Sequence, residues 1–389
     1  MTNQQRAIVA LITSALTHKP LGLPEDFVLA DSLELIKKHH MVNLIYEGAV
    51  LCGIEKQDPA MQQLFRLCLS FLMKSEAQMG AVSRIREEFL RENIDFMLLK
   101  GCRMKPMYPK PELRYMGDAD ILIRTEQYDR IRPVMERLGF TEKSETDHEL
   151  PWKSNALFVE LHKCLIPTYN TDLYAYYGDG WKLALPGEGS EYFMKPEDEW
   201  IYLFTHYAKH YRDGGVGCRY VADLWLWRRE NPHMDEPYIR GVMETMRMER
   251  FYDNTMLLLD YWFAEGKGNE TLDIMTEFIF SSGSWGVDEI KVLSRAVRDA
   301  RHSALGFSGR LLYLWQTAFP NAATLQDKYT VLKTHPWLLP LVWIYRPFYK
   351  VFFERKSLGR KKKHLQTLSE ENIQLRRDML HLVGMEYNT

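Results

Sequence analysis

The stretch that most limits the fold of this chain is Gly117-Asp118-Ala119-Asp120-Ile121-Leu122-Ile123. It reads as a strand, and side chains on a strand alternate between faces. Asp118 and Asp120 then share one face, while Ala119, Ile121 and Ile123 share the other. The apolar face needs a packed layer behind it. The acidic face needs a proton or a cation, because adjacent carboxylates repel. Hard oxygen ligands favour Mg²⁺ or Mn²⁺. One side of this strand is therefore expected to lie in a core and the other at a divalent-cation site.

The surrounding pattern implies an α+β chain with three parts. Residues 1–92 read as an N-terminal helical region, with helices over 5–17, over 31–50 and from Pro59 onward. Residues 93–195 read as an α/β core with a small mixed sheet. Ile94 to Leu99 is a compact apolar run ending at Lys100-Gly101, as a strand entering a tight turn would. A Pro-rich connection (Pro106, Pro109, Pro111) leads to the aspartate strand. Thr125 is placed to cap a helix running to Leu138, with Gly139 as its stop. Two strands flank Lys153-Ser154-Asn155, and the second carries Glu160. Residues 196–389 read as a C-terminal helical domain.

Charge and cysteine usage narrow the function. A net charge of −2 leaves no global nucleic-acid signature, so any electrostatic patch is local. The five cysteines are scattered, with no Cys-x-x-Cys spacing, which suggests neither a zinc knuckle nor a disulfide framework. Reduced thiols in a cytoplasm are the simpler expectation. The first residues lack the pattern of a signal peptide. The apolar run Trp337 to Tyr345 is too short to span a bilayer and is interrupted by Pro340. A cytoplasmic protein without a transmembrane segment is expected.

Three central features combine into one constellation: Lys100-Gly101 at a strand end, Asp118-Ala119-Asp120, and Glu160 in Phe158-Val159-Glu160-Leu161-His162. If the two acidic strands are neighbours, Glu160 completes a three-carboxylate site. Such a site can hold one or two Mg²⁺ ions that bridge nucleotide phosphates and activate a hydroxyl. Gly101 lets a phosphate approach backbone amides. Lys100 gives a point contact to phosphate and Arg114 a two-pronged one.

Leu99-Lys100-Gly101, Tyr108-Pro109, Pro111, Arg114 and Gly117-Asp118-Ala119-Asp120-Ile121-Leu122-Ile123 together resemble the uncharacterised bacterial nucleotidyltransferase family. That family belongs to the DNA polymerase β-like nucleotidyltransferase superfamily. The resemblance is densest over 94–140 and continues weakly through Glu160-Leu161-His162 and the segment holding His206, His210 and Asp223. The superfamily's pattern is a Gly-Ser turn, an Asp-x-Asp strand and a third acid on a later strand. Gly101, Asp118, Asp120 and Glu160 match it in order, while Cys102 stands where many members have serine.

The resemblance implies transfer of a nucleoside monophosphate from an NTP, by prior ATP, to an acceptor hydroxyl with release of pyrophosphate. Asp118, Asp120 and Glu160 would be the catalytic and metal-binding residues. Lys100, Gly101, Arg114 and Lys209 would hold the nucleotide, with a small molecule or a protein as acceptor. A catalytically silent nucleotide-binding or scaffold protein on the same fold is the rival expectation. A third is contact with an anionic membrane surface or RNA through the basic 355–363 segment. His206 and His210, four apart, could share a helix face but lack the glutamate of a His-Glu-x-x-His protease. Arg219 and Asp223, also four apart, read as a local ion pair. The aromatics Trp200, Tyr202, Phe204, Trp225 and Trp227 read as core.

Overall fold

The computed structural model describes residues 1–301 except 147, 169 and 285, then 315, 319–321, 325, 329, 331–353 and 368–385. The described chain divides into two compact units. One comprises residues 1–209 and 216–284; the other comprises 210–215 and 285–387.

The first unit opens with α1 (Asn3–Thr17), α2 (Leu33–Lys38), α3 (Val42–Leu51) and α4 (Pro59–Arg91). Thr2 and Gln5 form a reciprocal capping box on α1. The single helix expected over 31–50 is instead a 3-10 turn followed by α2 and α3. The break falls at His40, whose φ of 52° cannot continue a right-handed helix. Pro59 does open α4: the Asp58 carboxylate accepts hydrogen bonds from the amides of Ala60 and Met61.

α4 buries Ala81, Val82, Ile85 and Phe89 in one cluster with the sheet residues Phe96, Ala119, Ile121, Ile123 and Val159. The sheet has seven strands: β1 (Phe96–Leu98), β2 (Ala119–Ile123), β3 (Thr141–Glu142), β4 (Glu149–Lys153), β5 (Phe158–His162), β6 (Leu185–Pro186) and β7 (Glu191–Phe193). Their spatial order is β3-β4-β5-β2-β1-β7-β6. β2 is thus central, antiparallel to β1 and parallel to β5. The α+β class expected from the pattern is the class observed. The sheet gains its two short strands β6 and β7 from a stretch that carries no alternating pattern.

Between the strands lie α5 (Gly101–Met104), α6 (Tyr128–Arg137) and α7 (Thr171–Tyr177). Thr125 opens a 3-10 turn over Thr125–Gln127 and does not cap α6; Gly139, at φ +81°, follows its end. The hairpin expected at Lys153-Ser154-Asn155 joins β4 to β5, closed by the Ser154 amide on the Leu157 carbonyl at 2.9 Å. α8 (Pro196–Asp213), α9 (Cys218–Glu230), α10 (Glu236–Thr245), α11 (Glu249–Phe263) and α12 (Glu270–Ser282) follow. All five cysteines are free.

The second unit contains α13 (Asp288–Arg301), α14 (Val331–Thr334), α15 (Leu339–Phe353) and α16 (Glu370–Val383). Buried Arg376 on α16 donates to the carbonyls of Tyr211 and Arg212 at 2.7 and 3.0 Å and to Ser294 Oγ at 3.3 Å. Residues 355–363, the basic segment, lie outside the described residues. No described helix is long and apolar enough to cross a membrane.

Candidate active site

The site grows from the register of the central strands. Asp120 on β2 lies opposite Glu160 on β5, and Leu122 lies opposite His162. Residues opposite one another in a ladder point to the same side. Ala119, Ile121 and Ile123 are fully buried in the core behind, as the alternation requires. Asp118 stands just before β2 and is half-buried. Among the described residues, Asp120, Glu160 and His162 form the group able to present three ligand atoms within 4.8 Å of one another. Asp118 is outside that group, and so are His206 and His210. His206 stacks on Tyr220 at 5.7 Å.

Two groups already converge on one oxygen of Asp120. Lys100 Nζ donates to Asp120 Oδ1 at 2.7 Å, and His162 Nε2 lies 2.8 Å from the same atom. A carboxylate can only accept, so neutral His162 carries its proton on Nε2. Its Nδ1 is then a buried acceptor without a hydrogen-bond partner, 3.9 Å from Glu149 Oε1. Burial alone would raise the Asp120 carboxyl, but the Lys100 charge and the His162 hydrogen bond hold it well below the carboxylate range. Burial, with the Lys100 charge, lowers His162 and keeps it neutral.

Glu160 and Asp118 are less well compensated: Glu160 Oε2 lies 3.8 Å from His162 Nε2. Burial and the negative charges of Asp120, Glu149 and Asp118 push Glu160 up to about 8. Burial and the Asp120 charge raise Asp118 as well. The site therefore holds more carboxylate charge than its one ammonium neutralises. That surplus, on oxygen donors, fits a hard divalent cation.

The turn before the site is shaped by Lys100 and Gly101. Lys100 has φ 42°, a conformation that costs a non-glycine residue about 1–2 kcal/mol. Its ion pair to Asp120 and the hydrogen bond from the Met104 amide to its carbonyl, at 2.8 Å, hold it there. A Cβ on Gly101 would lie 3.0 Å from Met116 Cγ and 3.1 Å from Arg114 Nη1, tighter than ordinary contact. Cys102, in the serine position of the superfamily pattern, is buried, and burial pushes its thiol up to about 12.

Arg114 lies beneath this turn. Its Nε and Nη2 bind the two oxygens of Asp223 at 2.9 and 2.8 Å, and Tyr108 Oη donates to the same carboxylate at 2.8 Å. Asp223 thus pairs with Arg114 and not with Arg219, whose Nη1 donates to the Tyr115 carbonyl at 2.8 Å. Helical spacing favours the Arg219 pair, but the strand-side guanidinium offers two parallel hydrogen bonds. Arg114 Nη1, next to Gly101, is buried without a hydrogen-bond partner. Lys105 anchors the Pro-rich connection: its ammonium donates to Ser75 Oγ, the Pro111 carbonyl and the Arg114 carbonyl at 2.6, 2.8 and 3.0 Å.

Several neighbours carry no motif that marks them. Glu149, opposite His162 on β4, pairs with His148 at 2.8 Å. Tyr202, assigned to the core by its aromatic run, is indeed fully buried, and its hydroxyl feels the charges of Lys100 and Asp120. One turn earlier on α8, Glu199 is fully buried with both oxygens unpartnered, 3.9 Å from Arg103 Nε. Burial pushes Glu199 up to about 7, against the pull of Arg103. The only signal for Glu199 and Tyr202 is their helix spacing of three, which does not say what the face meets. Lys209 is half-buried on α8, two turns beyond Tyr202 on the same stripe.

The central strand of this mixed sheet carries Asp120 opposite Glu160, and Asp118 and the Lys100-Gly101 turn stand beside it. The family model described as uncharacterised nucleotidyltransferase matches residues 29–264, and the chain belongs to that family. No curated protein and no solved structure matches the chain.

Proposed function

We propose that this chain moves a nucleoside monophosphate from an NTP to an acceptor hydroxyl. The carrying observation is the register that sets Glu160 beside Asp120, one residue from Asp118 and joined to Lys100. Asp118, Asp120 and Glu160 would hold Mg²⁺ or Mn²⁺, which would supply charge neutralisation for the triphosphate and the entering hydroxyl. His162 steers Asp120 through its hydrogen bond.

Lys100 and the backbone of the Gly101 turn receive the phosphates, and Lys209 adds charge from α8. Arg114 supports that turn from beneath, its Nη1 facing Gly101. The acceptor oxygen forms a bond to the α-phosphorus as the bond to pyrophosphate breaks. Glu160, whose carboxyl sits near neutrality, takes the hydroxyl proton. ATP is the first nucleotide to test, with small molecules and proteins as acceptors.

The test is metal-dependent pyrophosphate release from each NTP, with acceptor pools. The parent is expected to turn over, and Asp118→Ala or Asp120→Ala to lose about a thousandfold or more. NTP binding with no turnover across acceptors would replace this reading with a silent nucleotide-binding protein, for which buried Cys102 in the serine position is the motivating observation.

A further inference from the structure

Among its described residues, the second unit carries an exposed run of large apolar side chains. The first turns of α15 (Leu339–Phe353), from Leu339 to Tyr345, carry apolar and aromatic residues only. One side belongs to a small core: Val342 packs with Leu325 and Leu332, flanked by Leu338, Leu339 and Trp343. The other side faces outward. Leu341 is 62% exposed, Ile344 64% and Tyr345 53%, and Trp337, in the 3-10 turn before the helix, 71%. Their spacing, 337, 341, 344 and 345, is that of one helical stripe. A contiguous apolar face of this kind marks an interaction surface.

The charge of the surrounding sequence selects the occupant. Residues 328–368 contain ten Lys or Arg and a single acid, Glu354, in a chain whose total charge is −2. Six of those cations (Arg355, Lys356, Arg360, Lys361, Lys362, Lys363) follow α15 directly in the sequence. An RNA would match the cations but leave Leu341 and Ile344 in water. A second copy of this face would cover the stripe but bring two strongly positive segments together. An anionic lipid surface satisfies both: acyl chains for the aliphatic side chains, the headgroup layer for Trp337 and Tyr345, and phosphates for the cations.

We propose that the exposed face of α15 docks this protein onto an anionic membrane surface. The helix lies in the interface plane and does not span: it has 15 residues, and Arg346, Pro347 and Lys350 interrupt it. The inference is independent of the nucleotide chemistry.

The experiment is vesicle flotation of the full chain. It compares phosphatidylcholine vesicles with vesicles carrying roughly one-third phosphatidylglycerol, at low and high salt. The expected result is binding to the anionic vesicles alone, weakened by salt. Replacing Trp337, Leu341 and Ile344 with serine lowers binding at least about tenfold. These positions are exposed, so the melting temperature should stay within a few degrees of the parent's. Neutralising Lys361, Lys362 and Lys363 to glutamine lowers binding about a hundredfold, each cation near such a surface being worth about a factor of five. This second variant leaves the apolar side chains intact and tests the idea even if the first one unfolds.

Three outcomes overturn the proposal. The first is no flotation of the parent with anionic vesicles at low salt. The second is equal binding by a folded serine variant, with RNA competing vesicles away, which assigns a polyanion surface. The third is self-association of the parent that the serine variant abolishes, which assigns the face to a second copy.

Discussion

Replacing Glu199 with glutamine should stabilise the protein at alkaline pH and not at acid pH. Glu199 is fully buried, neither carboxylate oxygen has a hydrogen-bond partner, and its one cationic neighbour, Arg103, stands 3.9 Å away. Burial lifts its carboxyl from the ordinary 4.5 to about 7. A raised acid pKa means that the folded state keeps its proton where the unfolded state has lost it. Stability from this group therefore falls as pH climbs from about 4.5 to about 7, and the full cost applies above that. A shift of this size corresponds to about 3 kcal/mol. Glutamine keeps the volume and never ionises. Arg103 is partly exposed but its Nε, which faces Glu199, is buried, and the glutamine side-chain oxygen remains there as an acceptor.

The assay is thermal unfolding of parent and Glu199→Gln at pH 5 and at pH 8.5. The reading is the change in their midpoint difference between the two values. At the acid value the midpoints should nearly coincide. At the alkaline value the variant should gain about 1–3 kcal/mol, the lower end allowing for imperfect amide packing, or a few degrees in a unit of this size. Parallel pH profiles, or a variant less stable at the alkaline value, would refute the argument. Either would mean that the ionised carboxylate is compensated inside the fold.

Other outcomes follow from the same geometry. Affinity for Mn²⁺, measured calorimetrically with the full chain, should rise with pH up to about 8, because Glu160 must release its proton to become a ligand; Glu160→Gln should weaken binding and flatten that rise. Asp120→Ala should destabilise the chain by about 3–5 kcal/mol in chemical denaturation, since it leaves Lys100 a mostly buried, unpaired ammonium; a change under about 1 kcal/mol would show that Lys100 simply swings to water. Gly101→Ala should cost about 1–3 kcal/mol, as its Cβ meets Met116 and an Arg114 held by Asp223. Arg114→Lys should destabilise by about 2–4 kcal/mol, because a lysine cannot replace the two-pronged pair.

The features legible in the sequence were those with a local physical signature. Alternation placed Ala119, Ile121 and Ile123 in the core and turned Asp120 to the other face. Pro59 announced the start of α4, and Lys153-Ser154-Asn155 the β4–β5 hairpin. Pairing of the two acidic strands could be posed as a condition, and the parallel ladder of β2 with β5 meets it.

What escaped depends on contacts distant in sequence. β6 and β7 are two and three residues long, one containing Pro186, too short to show a period. The His40 break needs a left-handed φ at a residue type that gives no warning of it. Asp223 chose a guanidinium 109 residues away over one four residues away, because the distant one presents two donors in a plane. Glu199 and Tyr202 look like any acid and any aromatic on a helix until α8 meets the Lys100 turn.

The parallel pairing of β2 with β5 also bears on how such chains can diverge. Asp118 and Asp120 are neighbours through a spacing of one residue, which tolerates no insertion. Asp120 and Glu160 are brought together by a ladder, and the 39 residues between them travel through α6, β3 and β4 before returning. Lengthening or trimming the loop between β3 and β4 would leave that ladder untouched. Distant kin of this protein should therefore keep the aspartates at an invariant interval while the third acid drifts freely along the sequence, recognisable only by the strand that delivers it.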